Sequence, residues 1–400
     1  MRTMIRYTLL LALLALAGCT NDGEEPRYPH SSRVMLVYMA GDNSLGGYVR
    51  PNLDDMRRGM ASVPAGCRTI AYVDTPGESP RLVEVTASGM TTLHTWPGPQ
   101  NSAGAATVRE VIGRVRTLAP ADRYGLVLWS HGLAWMPSWA TGYLTHSRAR
   151  IGAIWPPTKW FGQDTGERPA AYLDTADLAA AIPNGMFDWI LFDACFMASA
   201  ETLYALREKA AKIISSPAEV IADGFPYEKI MPALLRSEPD LRAVCESYHR
   251  HYADDPRPAY RSATVSLVET SQLEALAAAT ASVISAALSA DPEALAGMDL
   301  SRVQALDRYR RHFLFDAGSV VRELQARGRI PVSLAEVWRM QLARTVVYEA
   351  HTPAMLNLPL DECCGVSMYV PAASYADLNA YYETLGWCVR CYPPDFRIER

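Results

Sequence analysis

The sequence predicts an α/β protein whose central sheet is mostly parallel and is covered by helices on both faces. Short apolar runs over 33–39, 124–129 and 187–192 have the length and composition of buried strands. Between the first two runs, residues 105–118 have apolar side chains at helical spacing, which predicts a helix with one face toward the core. Strands that alternate with helices in this way are typical of a parallel sheet between two helical layers.

The other elements of the first half are predicted in chain order. Pro120 ends the helix over 105–118, and Asp174 is suited to cap the helix that follows the irregular stretch 133–170. The remaining elements are a helix over 52–60, strands over 69–73 and 81–85, a helix over 175–182, a helix over 197–209 and a strand over 213–216.

The second half of the sequence mixes helices with isolated strands. Its predicted elements are a strand over 263–268, an Ala-rich helix that Thr270 can cap, helices over 314–324 and 333–348, and a late strand over 365–371. We place a boundary near residue 230. An α/β domain then covers 33–230, and a helix-rich region over 231–400 returns strands to the same sheet.

Composition narrows the range of partners. The chain has 400 residues, of which 49% are hydrophobic, so it can bury a large core. Its formal net charge is -5 and no long basic run occurs, which argues against nucleic acid as a partner.

The N-terminus has the features of an export signal. Arg2 and Arg6 precede an apolar run over 8–16 that is too short to span a membrane as a helix. The Leu-Ala-Gly-Cys sequence that ends at Cys19 resembles the lipobox of bacterial lipoproteins. That resemblance implies a signal peptide over 1–18, a lipid on Cys19 that anchors the exported chain to a bacterial membrane, and a flexible tether over 19–32. The alternative is an ordinary secretory signal with an incidental cysteine. No later stretch is apolar enough to predict a membrane span.

Eight cysteines in an exported chain permit disulfides. Cys363 and Cys364 form one pair, and Cys388 and Cys391 form another. Together they offer four metal ligands, but adjacent cysteines do not easily bind one metal. We therefore expect no metal site there and favour a disulfide that links the two pairs, with its connectivity open.

Two reactive side chains follow buried strands directly. His131 comes after the strand over 124–129, and Cys195 after the strand over 187–192. The carboxyl ends of parallel strands form the edge at which α/β proteins bind ligands. A cysteine nucleophile needs a base or a cation nearby, and a position before a helix favours its thiolate. The pair predicts a cysteine peptidase, with the backbone N–H groups of Gly132 and Cys195 as an oxyanion hole.

Each of these residues also has a purely structural interpretation. A cysteine after a buried strand is often a small core residue, and a histidine at a strand end is often only a hydrogen-bonded polar group. The sequence lacks the usual motifs of serine hydrolases, nucleotide-binding proteins and zinc peptidases. It contains no Gly-x-Ser-x-Gly sequence, no phosphate-binding loop and no His-Glu-x-x-His sequence.

The sequence blocks around these residues resemble the clostripain family of cysteine peptidases. The blocks are VYMAGDNSL (37–45), LWSHG (128–132), FGQD (161–164), FDACFMASAE (192–201) and SPAEVIADGFPY (216–227). They occur in the family's order and cover roughly residues 33–230, and 365–371 resembles a late strand of the family. The resemblance implies a caspase-like three-layer α/β/α fold and a His131–Cys195 dyad that cleaves after basic residues.

The resemblance also assigns two acidic residues to the pocket that receives the basic side chain. Asp193 and Asp223 match acidic residues that line this pocket in the family. A lysine or arginine side chain in a pocket needs a carboxylate partner to offset the loss of water. The alternatives are that Asp193 caps the following helix and that Asp223 is an ordinary turn residue beside Gly224.

Family members are often activated by self-cleavage between the histidine and the cysteine. The basic residues of the irregular stretch after which such a cut could fall are Arg148, Arg150, Lys159 and Arg168.

Some family members are stimulated by calcium. In this sequence Asp54, Asp55 and Asp164 offer carboxylate oxygens for a calcium ion, although without the spacing of an EF-hand.

We therefore expect a lipid-anchored, exported cysteine endopeptidase that acts on proteins or peptides and needs no cofactor, with calcium left open. Two alternatives remain. One is a peptidase of the same fold with a non-basic specificity, and the other is a non-enzymatic surface binding protein that keeps the fold.

Overall fold

The computed structural model describes residues 28–143, 156–159, 163–164, 171–394 and 396. The strands in these residues are β1 (Ser31–Ala40), β2 (Cys67–Asp74), β3 (Arg81–Thr86), β4 (Gly89–Thr95), β5 (Ala121–Trp129), β6 (Gln163–Asp164), β7 (Ala171–Tyr172), β8 (Phe187–Asp193), β9 (Ala210–Ser215), β10 (Thr264–Glu269), β11 (Phe315–Asp316), β12 (Val346–His351), β13 (Ala354–Met355), β14 (Leu358–Pro359) and β15 (Ser367–Met368). The α-helices are α1 (Gly46–Gly59), α2 (Ala105–Leu118), α3 (Thr175–Ala181), α4 (Ala200–Ala205), α5 (Tyr227–Leu235), α6 (Leu241–Ala253), α7 (Leu273–Ala290), α8 (Ala317–Ala326), α9 (Val332–Thr345), α10 (Ala376–Tyr382) and α11 (Gly386–Cys391).

Nine of these strands form one sheet, in the order β12-β10-β9-β8-β5-β1-β2-β3-β4. The five central strands, from β9 to β2, run parallel to one another. Antiparallel strands extend the sheet at both edges, with β3 and β4 on one side and β10 and β12 on the other. The predicted α/β class with a mostly parallel central sheet is confirmed.

Alternate residues of β1 face two different helical layers. Val34, Leu36 and Tyr38 pack in a core with α2, α3, α4 and α7. Met35, Val37 and Met39 pack in the other core with α1, α5 and α6. Successive side chains of a strand point to opposite faces, so a strand covered on both faces is apolar throughout.

The first half departs from prediction where the local pattern is weak. The helix predicted over 52–60 begins earlier, at Gly46, and contains Pro51 within it. Strand β4 was missed, because its side chains are largely exposed at the sheet edge and show no buried face. The helix predicted over 197–209 is shorter, since α4 starts at Ala200 and its N-cap is Ser199, whose hydroxyl accepts from the backbone N–H of Thr202.

In the second half, β10 and β12 belong to the central sheet. The helix predicted over 333–348 ends at Thr345, and β12 begins at Val346, where the Val-Val-Tyr sequence has strong strand propensity. The late strand predicted over 365–371 is reduced to Ser367–Met368, which pairs with β11 rather than with the central sheet.

The predicted disulfide between the two cysteine pairs is not formed. All seven cysteines in the described residues carry free thiols. The Cys364 thiol donates to the carbonyl of Val366 at 3.3 Å, whereas the Cys391 thiol donates to the carbonyl of Ala277 at 3.5 Å. The two pairs therefore bond to different segments of the chain.

One helix in the described part of the chain is long and apolar enough, by length and composition alone, to cross a membrane. It covers 270–290, and the sequence pattern had not predicted it as such. The indole N–H of Trp338 in α9 donates to Thr280 at 2.9 Å, and Leu276 and Ile284 belong to the larger core. The helix is thus packed into the α/β fold.

Candidate active site

The two sequence motifs that follow β5 and β8 lie side by side. These strands pair in parallel, with Trp129 opposite Asp193 at their carboxyl ends. Gly132 packs against the backbone of Cys195, since a Cβ atom built on Gly132 would lie 2.0 Å from the Cys195 carbonyl oxygen. Only glycine allows this approach, so the fold brings the His131 and Cys195 segments into direct contact.

His131 is buried at this edge of the sheet. The Ser44 hydroxyl, from the loop after β1, lies 3.0 Å from its Nε2 atom and forms a hydrogen bond with it. Burial, with a smaller contribution from the nearby Lys159 ammonium, holds the pKa of His131 well below its ordinary value. The imidazole is therefore neutral at neutral pH and can accept a proton.

Cys195 is completely buried. Its Sγ accepts a hydrogen bond from the backbone N–H of Val220 at 3.1 Å. Burial raises the pKa of the thiol well above its ordinary value and the Glu219 charge adds to this, while backbone N–H groups of Val220 and Lys159 oppose the rise. Phe196, the next residue, has a left-handed φ of 64°, which is uncommon for a bulky residue and marks a sharp turn after the cysteine.

Lys159 fills a closed pocket beside the cysteine. Its Nζ lies 2.7 Å from Oδ1 of Asp193, and neither side chain is exposed to solvent. The ammonium also lies 4.5 Å from the centroid of the Trp129 ring, in a cation–π contact. Burial lowers the pKa of the Lys159 amine, and the Asp193 carboxylate opposes this effect. The pocket therefore matches a basic side chain in both charge and length.

Further groups hold the Asp193 carboxylate in place. Its Oδ2 accepts hydrogen bonds from the Tyr227 hydroxyl at 2.8 Å and from the backbone N–H of Phe225 at 3.4 Å. A Cβ atom on Gly224, whose φ is 78°, would lie 2.5 Å from both this oxygen and the Lys159 nitrogen. Glycine is therefore required there if the pocket is to hold a lysine. Because α4 is capped by Ser199, Asp193 does not serve as the cap of that helix.

The segment that carries Lys159 is bound as an extended strand. Thr158 and Ile221 form an antiparallel bridge. The backbone N–H of Lys159 donates to the Val220 carbonyl at 3.0 Å, and the N–H of Ala222 donates to the Pro157 carbonyl at 2.8 Å. Addition of a strand to an exposed edge is a common way to bind a peptide backbone, so residues 157–159 lie in this site as a peptide ligand would.

The other predicted site residues have different surroundings. The side chain of Asp223 is exposed, and its carbonyl accepts from the amide of Asn52 at 3.0 Å. Its charge raises the pKa of the Lys159 amine less than the charge of Asp193 does. The remaining predicted positions, Cys19, Arg148, Arg150 and Arg168, lie outside the described residues, as does the side chain of Asp164.

Two groups of side chains are relevant to metal binding. The carboxylates suggested for calcium are engaged by arginines, Asp54 with Arg50 and Asp55 with Arg58. Elsewhere in the described residues, ligand atoms of Glu349, His351 and Cys363 lie within 4.8 Å of one another. This mixture of nitrogen, sulfur and oxygen suits zinc better than calcium.

Several residues of the site were not singled out by the sequence pattern. Ser44, Tyr227 and Glu219 occur within the quoted blocks, but their neighbours along the chain give no sign of their contacts. Trp129 was read only as the end of a strand, and Lys159 only as one of four basic residues in an irregular stretch. For Ser44, Trp129, Glu219 and Tyr227 the quoted blocks were the one signal that pointed to the position, whereas Lys159 lies outside those blocks.

Comparisons with known proteins agree with this geometry. A model of the clostripain family matches residues 37–387. An inactive zymogen C11 protease from Parabacteroides distasonis is 30% identical, with a TM-score of 0.76 over 91% of this chain and 99% of that chain. A secreted C11 cysteine protease from Bacteroides thetaiotaomicron, solved with an irreversible peptide inhibitor, is 27% identical, with a TM-score of 0.74 over 90% of this chain and 99% of that chain. A search of curated proteins found no match.

Proposed function

The chain belongs to the clostripain family and is a cysteine peptidase that acts on proteins or peptides, and we propose that it is an endopeptidase that cleaves after lysine or arginine. The observation that carries this specificity is the buried contact of 2.7 Å between Lys159 Nζ and Asp193 Oδ1. A free carboxylate in a closed pocket discriminates strongly in favour of a cation, because a neutral side chain would leave its charge without a partner.

The proposed chemistry uses His131 and Cys195 as a dyad. Cys195 Sγ attacks the carbonyl carbon of the bond to be cleaved, and His131 takes the thiol proton and delivers it to the leaving amine. The backbone N–H groups of Gly132 and Cys195 stabilise the negative charge that develops on the carbonyl oxygen. Water then hydrolyses the acyl-enzyme.

This acyl transfer needs no metal and no organic cofactor, so we expect peptidase activity to persist in the presence of a calcium chelator.

We further propose that the intact chain inhibits and then activates itself at Lys159. The Lys159 side chain occupies the specificity pocket, and the backbone N–H of Lys159 lies against the Cys195 thiol. While this segment is bound, a substrate cannot enter. Cleavage of the bond between Lys159 and Trp160 releases the segment and opens the site.

A Lys159→Gln variant is expected to stay as a single chain, because glutamine carries no charge to pair with Asp193. Lys159→Arg is the matched control and should still be cut, since it keeps the cation. Gel electrophoresis followed by N-terminal sequencing measures the result, and the wild-type fragment should begin at Trp160. Normal processing of the glutamine variant would place the activating cut elsewhere, for example after Arg148 or Arg150.

Export and lipid anchoring at Cys19 complete the proposal. The support is the Leu-Ala-Gly-Cys sequence after a short apolar run, and the similar protease from Bacteroides thetaiotaomicron is described as secreted. We expect the wild-type chain to incorporate a labelled fatty acid and a Cys19→Ser variant not to incorporate it. Equal labelling of both chains, or of neither, would contradict the anchor.

A further inference from the structure

We propose that Glu349, His351 and Cys363 form a zinc site at the outer edge of the central sheet. Ligand atoms of these three side chains lie within 4.8 Å of one another. The site lies apart from the proposed dyad, because two strands, β9 and β10, separate β12 from β8 in the sheet. Zinc binding here is therefore independent of the proposed cleavage after basic residues.

The edge strand β12 supplies two of the three ligands. Glu349 and His351 lie two residues apart in this strand, and residues at that spacing project from the same face of a sheet. Nδ1 of His351 lies 2.7 Å from Oε1 of Glu349. The two side chains are 28% and 23% exposed, respectively, so an ion from solvent can reach both of them.

The third ligand comes from a segment that crosses β10 and β12. Gly365 in this segment has a left-handed φ of 83°, and a Cβ atom built on it would lie 3.0 Å from Cγ of Glu349 and 3.0 Å from Cβ of Ser266. Glycine therefore allows the chain to pass directly over the two strands. This close passage brings Cys363, two residues earlier, to the ligands of β12.

The adjacent cysteine has different partners. The backbone N–H of Cys364 donates to Oδ2 of Asp316 at 2.6 Å. Its thiol donates to the Val366 carbonyl and accepts from the backbone N–H of Gly318, both at 3.3 Å. These bonds hold the crossing segment against α8 and engage the Cys364 sulfur there. Cys363 is therefore the cysteine that belongs to the site beside β12.

The combination of ligand atoms selects zinc. Zinc binds imidazole nitrogen, thiolate sulfur and carboxylate oxygen, and its tetrahedral ligands lie roughly 3 to 4 Å apart. Small side-chain rotations bring the three groups from their present separations to that geometry. The fourth position is then open to a water molecule. Calcium and magnesium prefer sites made only of oxygen, so the thiol and the imidazole disfavour them here.

A bound zinc ion would tie the edge of the sheet to the turn after Cys195. From Cys363 the chain continues to Ser367, whose backbone N–H donates to the Ala198 carbonyl at 3.0 Å. Ala198 lies in the turn between Cys195 and α4. Because an ion held by residues of two segments binds the folded chain and not the unfolded chain, it stabilises the fold. We therefore expect zinc to raise the Tm of the protein.

The test uses cobalt(II) as a spectroscopic substitute for zinc in the purified, reduced full chain. The chain carries Cys195→Ala, so that the proposed nucleophile does not compete for the metal. We expect one cobalt ion to bind per chain, with visible absorption typical of a tetrahedral site and a near-ultraviolet charge-transfer band from a cobalt–thiolate bond. Zinc should displace the cobalt, abolish both bands and raise the Tm, because it binds such sites more tightly.

Two serine substitutions in the same background identify the sulfur ligand. Cys363→Ser should remove the charge-transfer band and weaken zinc binding by about 100-fold or more, since even the loss of a group that only supports a ligand costs about 10-fold to 100-fold. Cys364→Ser is the matched control and should keep the band, with zinc affinity within about threefold. A His351→Ala variant should lose affinity as Cys363→Ser does.

Two results would overturn the site. One is a charge-transfer band that persists in Cys363→Ser or is lost only in Cys364→Ser. The other is a background chain that shows no thiolate-bound cobalt at all, and this result decides the matter even if a serine variant does not fold. Failure to cleave lysine peptides would contradict the proposed function and leave the zinc site untouched, because no step of the metal test depends on peptidase activity.

Discussion

A Cys195→Ala variant is expected to lose peptidase activity by a factor on the order of 10⁵, because removal of a covalent nucleophile leaves only binding and oxyanion stabilisation. The chain should also remain uncut at Lys159. The measurement is kcat/KM on a lysyl coumarylamide, together with gel analysis of the purified chain. Since the Cys195 side chain is small and buried, alanine replaces it with little change in packing, and the fold should survive.

The chain offers a matched control for this substitution. Cys245 is also fully buried, in the core on the α6 side of the sheet, and burial raises the pKa of its thiol as well. A Cys245→Ala variant removes the same sulfur from a similar environment but should leave kcat/KM within about threefold of wild type, as expected for a small change in packing far from the chemistry. If Cys195→Ala matched wild type in every cleavage assay, Cys195 would not be the nucleophile.

The sequence predicted the parts of the fold that depend on local pattern. β1, β5 and β8 were recognised because a strand buried on both faces is a continuous apolar run. β4 was missed because an exposed edge strand has no such run. β12 was absorbed into the preceding helix, since Val346 and Val347 continue the apolar spacing of that helix although they are better suited to a strand.

The site was predictable only up to the strand ends. Position at the carboxyl edge of a parallel sheet indicated His131 and Cys195, because topology brings such residues together whatever their separation along the chain. The same argument could not predict that Lys159 fills the pocket beside Asp193. A lysine in an irregular stretch normally lies in solvent. The burial of Lys159 depends on contacts with residues of other elements, above all the ion pair with Asp193.

The helix after Cys195 illustrates a conflict between local and long-range requirements. Helical periodicity predicts a start near residue 197, but α4 begins at Ala200. The intervening turn is used to hold the segment against 216–218. The N–H of Phe196 donates to the Ala218 carbonyl at 2.8 Å, and that of Ala198 donates to the Ser216 carbonyl at 3.0 Å. Those bonds place Cys195 beside residues 220–222, which pair with the segment that carries Lys159. No pattern of neighbouring residues encodes them.

An Asp193→Asn variant is expected to lose about 10²-fold to 10³-fold in kcat/KM on lysine substrates, because a buried cation without its charged partner costs several kcal/mol. The substitution keeps the size of the side chain and its acceptor for the Tyr227 hydroxyl. A peptide with norleucine in place of lysine has the same length without the charge, and its cleavage should not fall. The ratio of kcat/KM for the two peptides is the measurement, and thermal unfolding reports whether the variant is folded.

The comparison with Asp223→Asn separates a contact in the pocket from a general effect of negative charge. The Asp223 side chain is exposed, so its attraction for a basic substrate is screened by water and should amount to no more than about fivefold. A larger loss in Asp223→Asn than in Asp193→Asn would mean that a substrate lysine binds differently from Lys159. If the preference for lysine over norleucine were unchanged in Asp193→Asn, the buried pair would serve only to hold the intact chain closed. Specificity for basic residues would then have to come from another part of the site.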